Sequence, residues 1–141
     1  CREYVWQERA EYDFTGKRAL LVEDNEINIE ITRNLLQHRN LEVEVARNGK
    51  EGVECYVRHE PGYYDIILMD IRMPVMDGLE ATRKIRYADR ADSETVPIVA
   101  MTANVFEEDV HRAMEAGMDE YLTKPLDVWK MYGIIADKIC K

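Results

Sequence analysis

Beyond residue 16, short apolar runs alternate with segments whose apolar residues recur every three or four positions, and this alternation restricts the fold most. "RALLV" (18–22) is a continuous apolar run, and Ile27, Ile31 and Leu35 then recur at helical spacing through His38. "LEVEVA" (41–46) alternates with period two, and "NGKEGVECYVRHE" (48–60) reads as a polar, amphipathic helix. "DIILMD" (65–70) carries an apolar run from Ile66 to Met69 that stops on Asp70, as a strand covered on both faces would. "GLEATRKIRYAD" (78–89) predicts a helix and "VPIVAM" (96–101) another buried strand. "EEDVHRAMEAG" (107–117) places acids at its start and Gly117 at its end, which suits the helix dipole and a C-cap. "EYLTK" (120–124) is a short strand, and Val128, Met131, Tyr132, Ile135 and Ile139 mark a final amphipathic helix. Five strands alternating with five helices predict a doubly wound parallel sheet, an α/β fold of three layers. Ligands of such sheets bind at the carboxyl ends of the strands, near the point where the strand order reverses.

The 141 residues suffice for one domain with a single core. The net charge of −9, from 19 basic and 28 acidic side chains, repels phosphate backbones and argues against direct nucleic-acid binding. No apolar run approaches the roughly 20 residues that span a bilayer, and no signal peptide is recognisable, so this fragment is expected to be cytoplasmic. Cys1, Cys55 and Cys140 lack metal-ligand spacing and read as free thiols in a reducing compartment. The opening "CREYVWQERAEYDFTGKR" suggests a fragment of a longer polypeptide, although a processed or engineered start has the same appearance. Residues 1–16, with Tyr4, Trp6, Tyr12 and Phe14, form a lead-in of no legible structure, and 17–141 form the domain.

The predicted strands deliver chemistry at their carboxyl ends. The first ends in Glu23-Asp24, the third in Asp70, the fourth in Thr102 and the fifth in Lys124, whereas the second offers only Ala46-Arg47. On one sheet edge these place three carboxylates, a hydroxyl and an ammonium together. Such carboxylates repel, and one is driven toward its protonated form unless a cation intervenes. A hard divalent ion resolves the conflict, and Mg²⁺ is content with few protein oxygens plus water and phosphate. A carboxylate so placed can attack phosphorus, with Lys124 helping to neutralise charge and Thr102 donating to a phosphoryl oxygen.

Each residue also has a plainer reading. A strand-terminal Asp70 can be a turn residue, Glu23-Asp24 can cap a helix with Asn25 close to the capping position, and Thr102 can sit in a helix's first turn. Lys124 can be a solvated charge and Tyr121 a packing aromatic. Asp77-Gly78 reads as a turn that starts a helix. His38, His59 and His111 read as surface or interfacial residues, and Met69, Met73, Met76, Met101 and Met118 as packing.

"LLVEDN", "LMDIRMPVMDG", "MTAN" and "LTKPL" together resemble the receiver domain of two-component response regulators, in the right order and across residues 17–140. The resemblance implies the flavodoxin-like (CheY-like) sheet, with Asp70 as phosphoacceptor. It further implies that Mg²⁺ (or Mn²⁺) is ligated by Asp24 and Asp70, by Glu23 through water and by the backbone carbonyl of Arg72. Thr102 and Lys124 then hold the phosphoryl group, and Thr102 and Tyr121 act as switch residues. Arg72, Ala103 and Asn104 fall where the lifetime of the phosphorylated form is tuned. Lys124-Pro125 matches a peptide bond usually cis in the family. Glu23 is a mild departure, since many receivers carry Asp there. The implied partners are a histidine kinase or a histidine-phosphotransfer domain, and the implied output surface is the fourth helix, fifth strand and fifth helix. Homodimerisation stays open.

Other classes weigh less. A Mg²⁺-dependent phosphatase of the haloacid-dehalogenase kind needs a second Asp two residues after the nucleophile, where Arg72 stands. A flavodoxin-like cofactor binder needs a Ser/Thr/Gly-rich loop after the first strand, where "EDNEIN" is acidic. A degenerate scaffold receiver would lack site residues that are intact here. Self-phosphorylation and self-dephosphorylation are the most enzymatic activity the domain implies, so its status as an enzyme stays undecided. "DFTGKRALLVEDNEINIEI" resembles the entry to the C-terminal receiver of hybrid sensor histidine kinases, whose parent chain can be membrane-anchored; a stand-alone regulator is the alternative.

Overall fold

The computed structural model describes residues 12–103, 107–124 and 126–139, with residues 107–109 described as backbone only. Its elements alternate: β1 (Arg18–Val22), α1 (Glu26–Gln37), β2 (Glu42–Ala46), α2 (Gly49–Arg58), β3 (Ile66–Asp70), α3 (Gly78–Arg86), β4 (Ile98–Thr102), α4 (Glu107–Ala116), β5 (Glu120–Thr123) and α5 (Val128–Ile139). The five strands pair in parallel in the order β2-β1-β3-β4-β5, as the alternation predicts. The chain winds outward from β1 to β2, then crosses back to β3, so the order reverses between β1 and β3.

Side-chain period explains the continuous apolar runs. Ala19 and Leu21 of β1 point into a core with Leu36 of α1 and Met131, Tyr132 and Ile135 of α5. Leu20 and Val22 point the other way, against Cys55 and Tyr56 of α2, Ala81 and Ile85 of α3, and Ala113 of α4. A strand with a core on each face has no polar side to show. β2 lies at the sheet's edge and keeps its alternation, with Val43 and Val45 packed toward the α1/α5 core and Glu44 on the opposite face. Tyr12 and Phe14 of the lead-in join that core; Phe14 is 1% exposed, with its ring 6.3 Å from that of Tyr132. Cys55 is a buried free thiol, while Cys1, Cys140, Tyr4 and Trp6 lie outside the described residues.

Local chemistry sets the helix ends. The side chains of Asn25, Asn48 and Asp77 accept the amides of Asn28 (3.0 Å), Glu51 (2.9 Å) and Glu80 (2.9 Å) at the starts of α1, α2 and α3. Each such cap contributes about 1 kcal/mol. α4 ends at Gly117 in a left-handed conformation (φ 110°), with the Met118 amide bonded to the Ala113 carbonyl and that of Gly117 to Met114. These are the paired bonds of a Schellman C-cap.

Of the boundaries that differ from the sequence pattern, those of α3 and β4 have a visible cause. α3 stops at Arg86 rather than at residue 89, because the following segment turns to close the end of α2. There Arg90 donates to the carbonyls of Val57 and His59, and Asp92 accepts the Tyr56 hydroxyl and the Gly62 amide. β4 starts at Ile98 rather than at Val96, since Pro97 has no amide to give a neighbouring strand. No helix among the described residues is long and apolar enough to cross a membrane.

Candidate functional site

The strand register builds the site. Asp70, the last residue of β3, pairs with Met101, and Ile71 continues the ladder by bonding to the Met101 carbonyl (3.1 Å). The Glu23 amide bonds to the Ala46 carbonyl (3.0 Å) and the Lys124 amide to the Thr102 carbonyl (2.8 Å). Backbone pairing therefore carries four separated stretches of chain to one edge, astride the β1/β3 reversal.

Their side chains converge there. One carboxylate oxygen each from Glu23, Asp24 and Asp70 lies within 4.8 Å of the others. Glu23 (1% exposed) and Asp70 (5%) are buried, and Asp24 is exposed. The Lys124 ammonium reaches Glu23 Oε2 at 3.0 Å and Asp70 Oδ1 at 3.2 Å. Glu23 Oε1 also accepts the Asn25 amide at 3.3 Å, which orients the buried acid. These groups share a cleft of about 230 Å³ with Asn28, Arg72, Thr102 and Ala103. Thr102 is buried, and Arg72 and Ala103 are exposed.

Electrostatics single out one acid. Burial first, and then the neighbouring Glu23 charge, push the Asp70 carboxyl up to about 7, against the pull of the Lys124 ammonium. Burial disfavours the ammonium of Lys124, but its bond to Glu23 and the Asp70 charge outweigh this and hold its pKa above the usual lysine value. Ionising Asp70 thus costs free energy that a further cation at the cluster offsets. The donor set is all hard oxygen with one exposed face, which fits Mg²⁺ and its waters.

The other residues singled out in the sequence fall nearby or apart. Tyr121 is half-buried on β5, with the Lys130 ammonium 5.8 Å from its ring centre. Asn104 and Pro125 lie outside the described residues. Asp77 caps α3 and does not join the acid cluster. His38 and His111 are exposed, and His59 stacks on Tyr63 with ring centres 3.7 Å apart. Met69, Met101 and Met118 are buried in the core. Gly78 opens α3 as the sequence predicts, with its amide on the Ile71 carbonyl, whereas sequence reasoning passed over Gly49, whose amide bonds to the Met76 carbonyl in the loop beside the site; a glycine opening a helix was the available signal.

A parallel sheet with an acid cluster and a lysine at its reversal point defines the class of α/β protein whose site lies at the strand ends, with oxygen ligands facing an ammonium. The response regulator receiver domain profile matches residues 19–136, and the chain belongs to that family. It is 36% identical over 127 residues to hybrid signal transduction histidine kinase I of Dictyostelium discoideum, covering 89% of this chain and 7% of that protein. It is 39% identical over 123 residues to the peroxide stress-activated histidine kinase mak1 of Schizosaccharomyces pombe, covering 86% of this chain and 8% of that one. The chain thus spans under a tenth of these curated relatives. Among solved structures it is similar to the receiver domain of a sensor histidine kinase from Pseudomonas aeruginosa, which holds a magnesium ion in its active-site cleft. That match has a TM-score of 0.80 at 36% identity and covers 90% of this chain and 100% of that one. It is also similar to the receiver domain of a Saccharomyces cerevisiae response regulator solved with a histidine phosphotransfer protein. There the TM-score is 0.78 at 30% identity, with coverage of 90% and 91%.

Proposed function

We propose that Asp70 accepts a phosphoryl group from a histidine of a kinase or phosphotransfer partner, in a phosphorelay that this domain serves as receiver. The observation that carries this is the meeting of Glu23, Asp24 and Asp70 within 4.8 Å, with Lys124 bridging two of them. A carboxylate oxygen of Asp70 forms the new P–O bond as the P–N bond to the donor imidazole breaks, and the electron pair leaves with that nitrogen. Asp24 and Asp70, with Glu23 through water and the Arg72 carbonyl, would hold Mg²⁺, as the family resemblance implies. The ion's contribution when bound is to neutralise charge on the carboxylates and on the phosphoryl oxygens. Mn²⁺ offers the same preference for oxygen. Lys124 and the Thr102 hydroxyl receive two phosphoryl oxygens after transfer.

Thr102 and Tyr121 then bias the surface of α4, β5 and α5, as two-state elements that the new charge favours in one arrangement. Arg72, Ala103 and Asn104 set how readily water reaches the phosphoryl group. The partner docks beside the cleft, where Ile27 (69% exposed) and Ile31 (52%) of α1 present apolar surface. An adjoining hollow is lined by Ile31, Leu35, Leu126 and Val128. The similarity to a hybrid signal transduction histidine kinase supports a parent of that kind. Incubation with acetyl phosphate and Mg²⁺ tests the reading by mass spectrometry. One added phosphoryl group on the wild type, absent from Asp70→Asn and absent with a chelator, is expected. An unmodified wild type, or equal modification of Asp70→Asn, would overturn it.

A further inference from the structure

α1 and α5 contribute to the same core on one face of the sheet, yet they meet solvent differently. α1 turns Glu26, Ile27, Glu30 and Ile31 outward, all of them exposed, as a peripheral helix does. No residue of α5 is exposed, and Met131, Tyr132, Gly133, Ile134 and Ile135 are buried in succession. Neighbouring residues stand about 100° apart round a helix, so five in a row reach every side of it. Packing against a sheet buries one side only. Met131 and Ile135 share the sheet's core with Leu68 and Val99. Gly133, about 200° round the helix from each, lies on the far side and is buried all the same.

The composition of α5 agrees. Of its residues only Lys130, Asp137 and Lys138 are charged, and apolar ones occur all round the axis. A helix of that kind is covered on every side. Gly133 in its middle forgoes about 1 kcal/mol of helix stability relative to alanine. On the far side, its missing side chain lets another stretch of chain come close.

The lead-in already runs beside this helix. The Phe14 amide donates to the Arg39 carbonyl at 2.8 Å, and Asp13 accepts the Asn40 side-chain amide at 3.0 Å. The Tyr12 ring lies 5.7 Å from that of Tyr132, and the Arg39 guanidinium lies 5.5 Å from the ring of Trp129. Ahead of Tyr12 stand residues 1–11, with Tyr4, Val5 and Trp6 in succession. A stretch of that length spans about 16 Å as a helix and up to about 36 Å extended, against about 18 Å for α5.

We infer that residues 1–11 continue from Tyr12 across the outward face of α5 and cover it, with Tyr4, Val5 and Trp6 supplying the apolar surface. The lead-in is then part of the domain rather than a linker ahead of it. The covering stands on packing and does not depend on the phosphoacceptor reading. Its consequence bears on that reading: a partner that reads the α5 part of the output surface must first displace the chain's own lead-in.

NMR of the complete 141-residue chain with a soluble paramagnetic probe tests this, with light scattering reporting the mass. The α-protons of Gly62, which is exposed, and of Gly52, buried in α2, calibrate open and closed positions. In a monomer, the Gly133 α-protons should be as protected as those of Gly52 and should show nuclear Overhauser contacts to the Tyr4 or Trp6 ring. Deleting residues 1–11 keeps Tyr12 and Phe14 and should move Gly133 toward the response of Gly62. Where the shortened chain does not fold, Tyr4→Ser with Trp6→Ser in the complete chain should produce the same shift. Gly133 as open as Gly62 in the complete monomer, or protection that survives both changes, would overturn the inference. Protection seen only at a doubled mass would overturn it as well, since a second copy would then be the cover.

Discussion

The two ends of the sheet use the same residue types to opposite effect. At the amino end, acids satisfy backbone donors and basic partners. Asp65 accepts the Arg18 amide at 2.8 Å, and Asp119 accepts both the Ile98 amide (2.9 Å) and the Arg86 guanidinium (2.8 Å). Arg86 in turn donates to the carbonyls of Gly117, Ser93 and Val96, closing the bottom of α3, α4 and β4 in one network. At the carboxyl end, three carboxylates crowd together and Lys124 bridges two of them. One end has its charges spent on structure, and the other keeps a conflict available for chemistry.

The sharpest way to break this comparison is to remove a charge from each end. Arg86→Ala should cost about 2–4 kcal/mol, because a side chain only 12% exposed is the donor to three carbonyls and the cationic partner of Asp119. Urea denaturation with and without Mg²⁺ should give the same loss. Lys124→Ala should cost less, about 1–2 kcal/mol at pH 8 without metal, and millimolar Mg²⁺ should restore most of it. Equal metal dependence in the two variants would erase the distinction between the ends. The exposed Glu30–Arg33 pair on α1 sets the floor: a double-mutant cycle should return no more than about 0.5 kcal/mol, and 0.2 M salt should reduce it.

Much of this was legible in the sequence, for a physical reason. β1, β3 and β4 are apolar on both faces because cores lie on both sides, and a run of that kind ending on an acid marks a sheet edge without any knowledge of contacts. Parallel pairing then brings Glu23, Asp70, Thr102 and Lys124 to one edge. What stayed hidden depends on distant partners. The early end of α3 follows from Arg90 and Asp92 seeking groups some thirty residues away on α2 and the loop after it. The place of Phe14 in the core depends on Tyr132, and Gly49 is explained only by the carbonyl of Met76 above it. Periodicity carries no information about such meetings.

The pH dependence of stability follows from Asp70. Its carboxyl ordinarily titrates at 3.8, the value expected in the unfolded chain, and in the fold it is pushed up to about 7. Between those values the folded protein holds a proton that the unfolded chain has released. Asp70 therefore stabilises the metal-free fold fully below its unfolded pKa, and that contribution is lost as pH rises through about 7. The most direct measurement is a carbon-detected NMR titration of the Asp70 carboxyl with and without Mg²⁺. The account predicts a midpoint near 7 without metal, falling well below that when Mg²⁺ takes the proton's place. A midpoint at the ordinary aspartate value, or one that Mg²⁺ does not move, would contradict it.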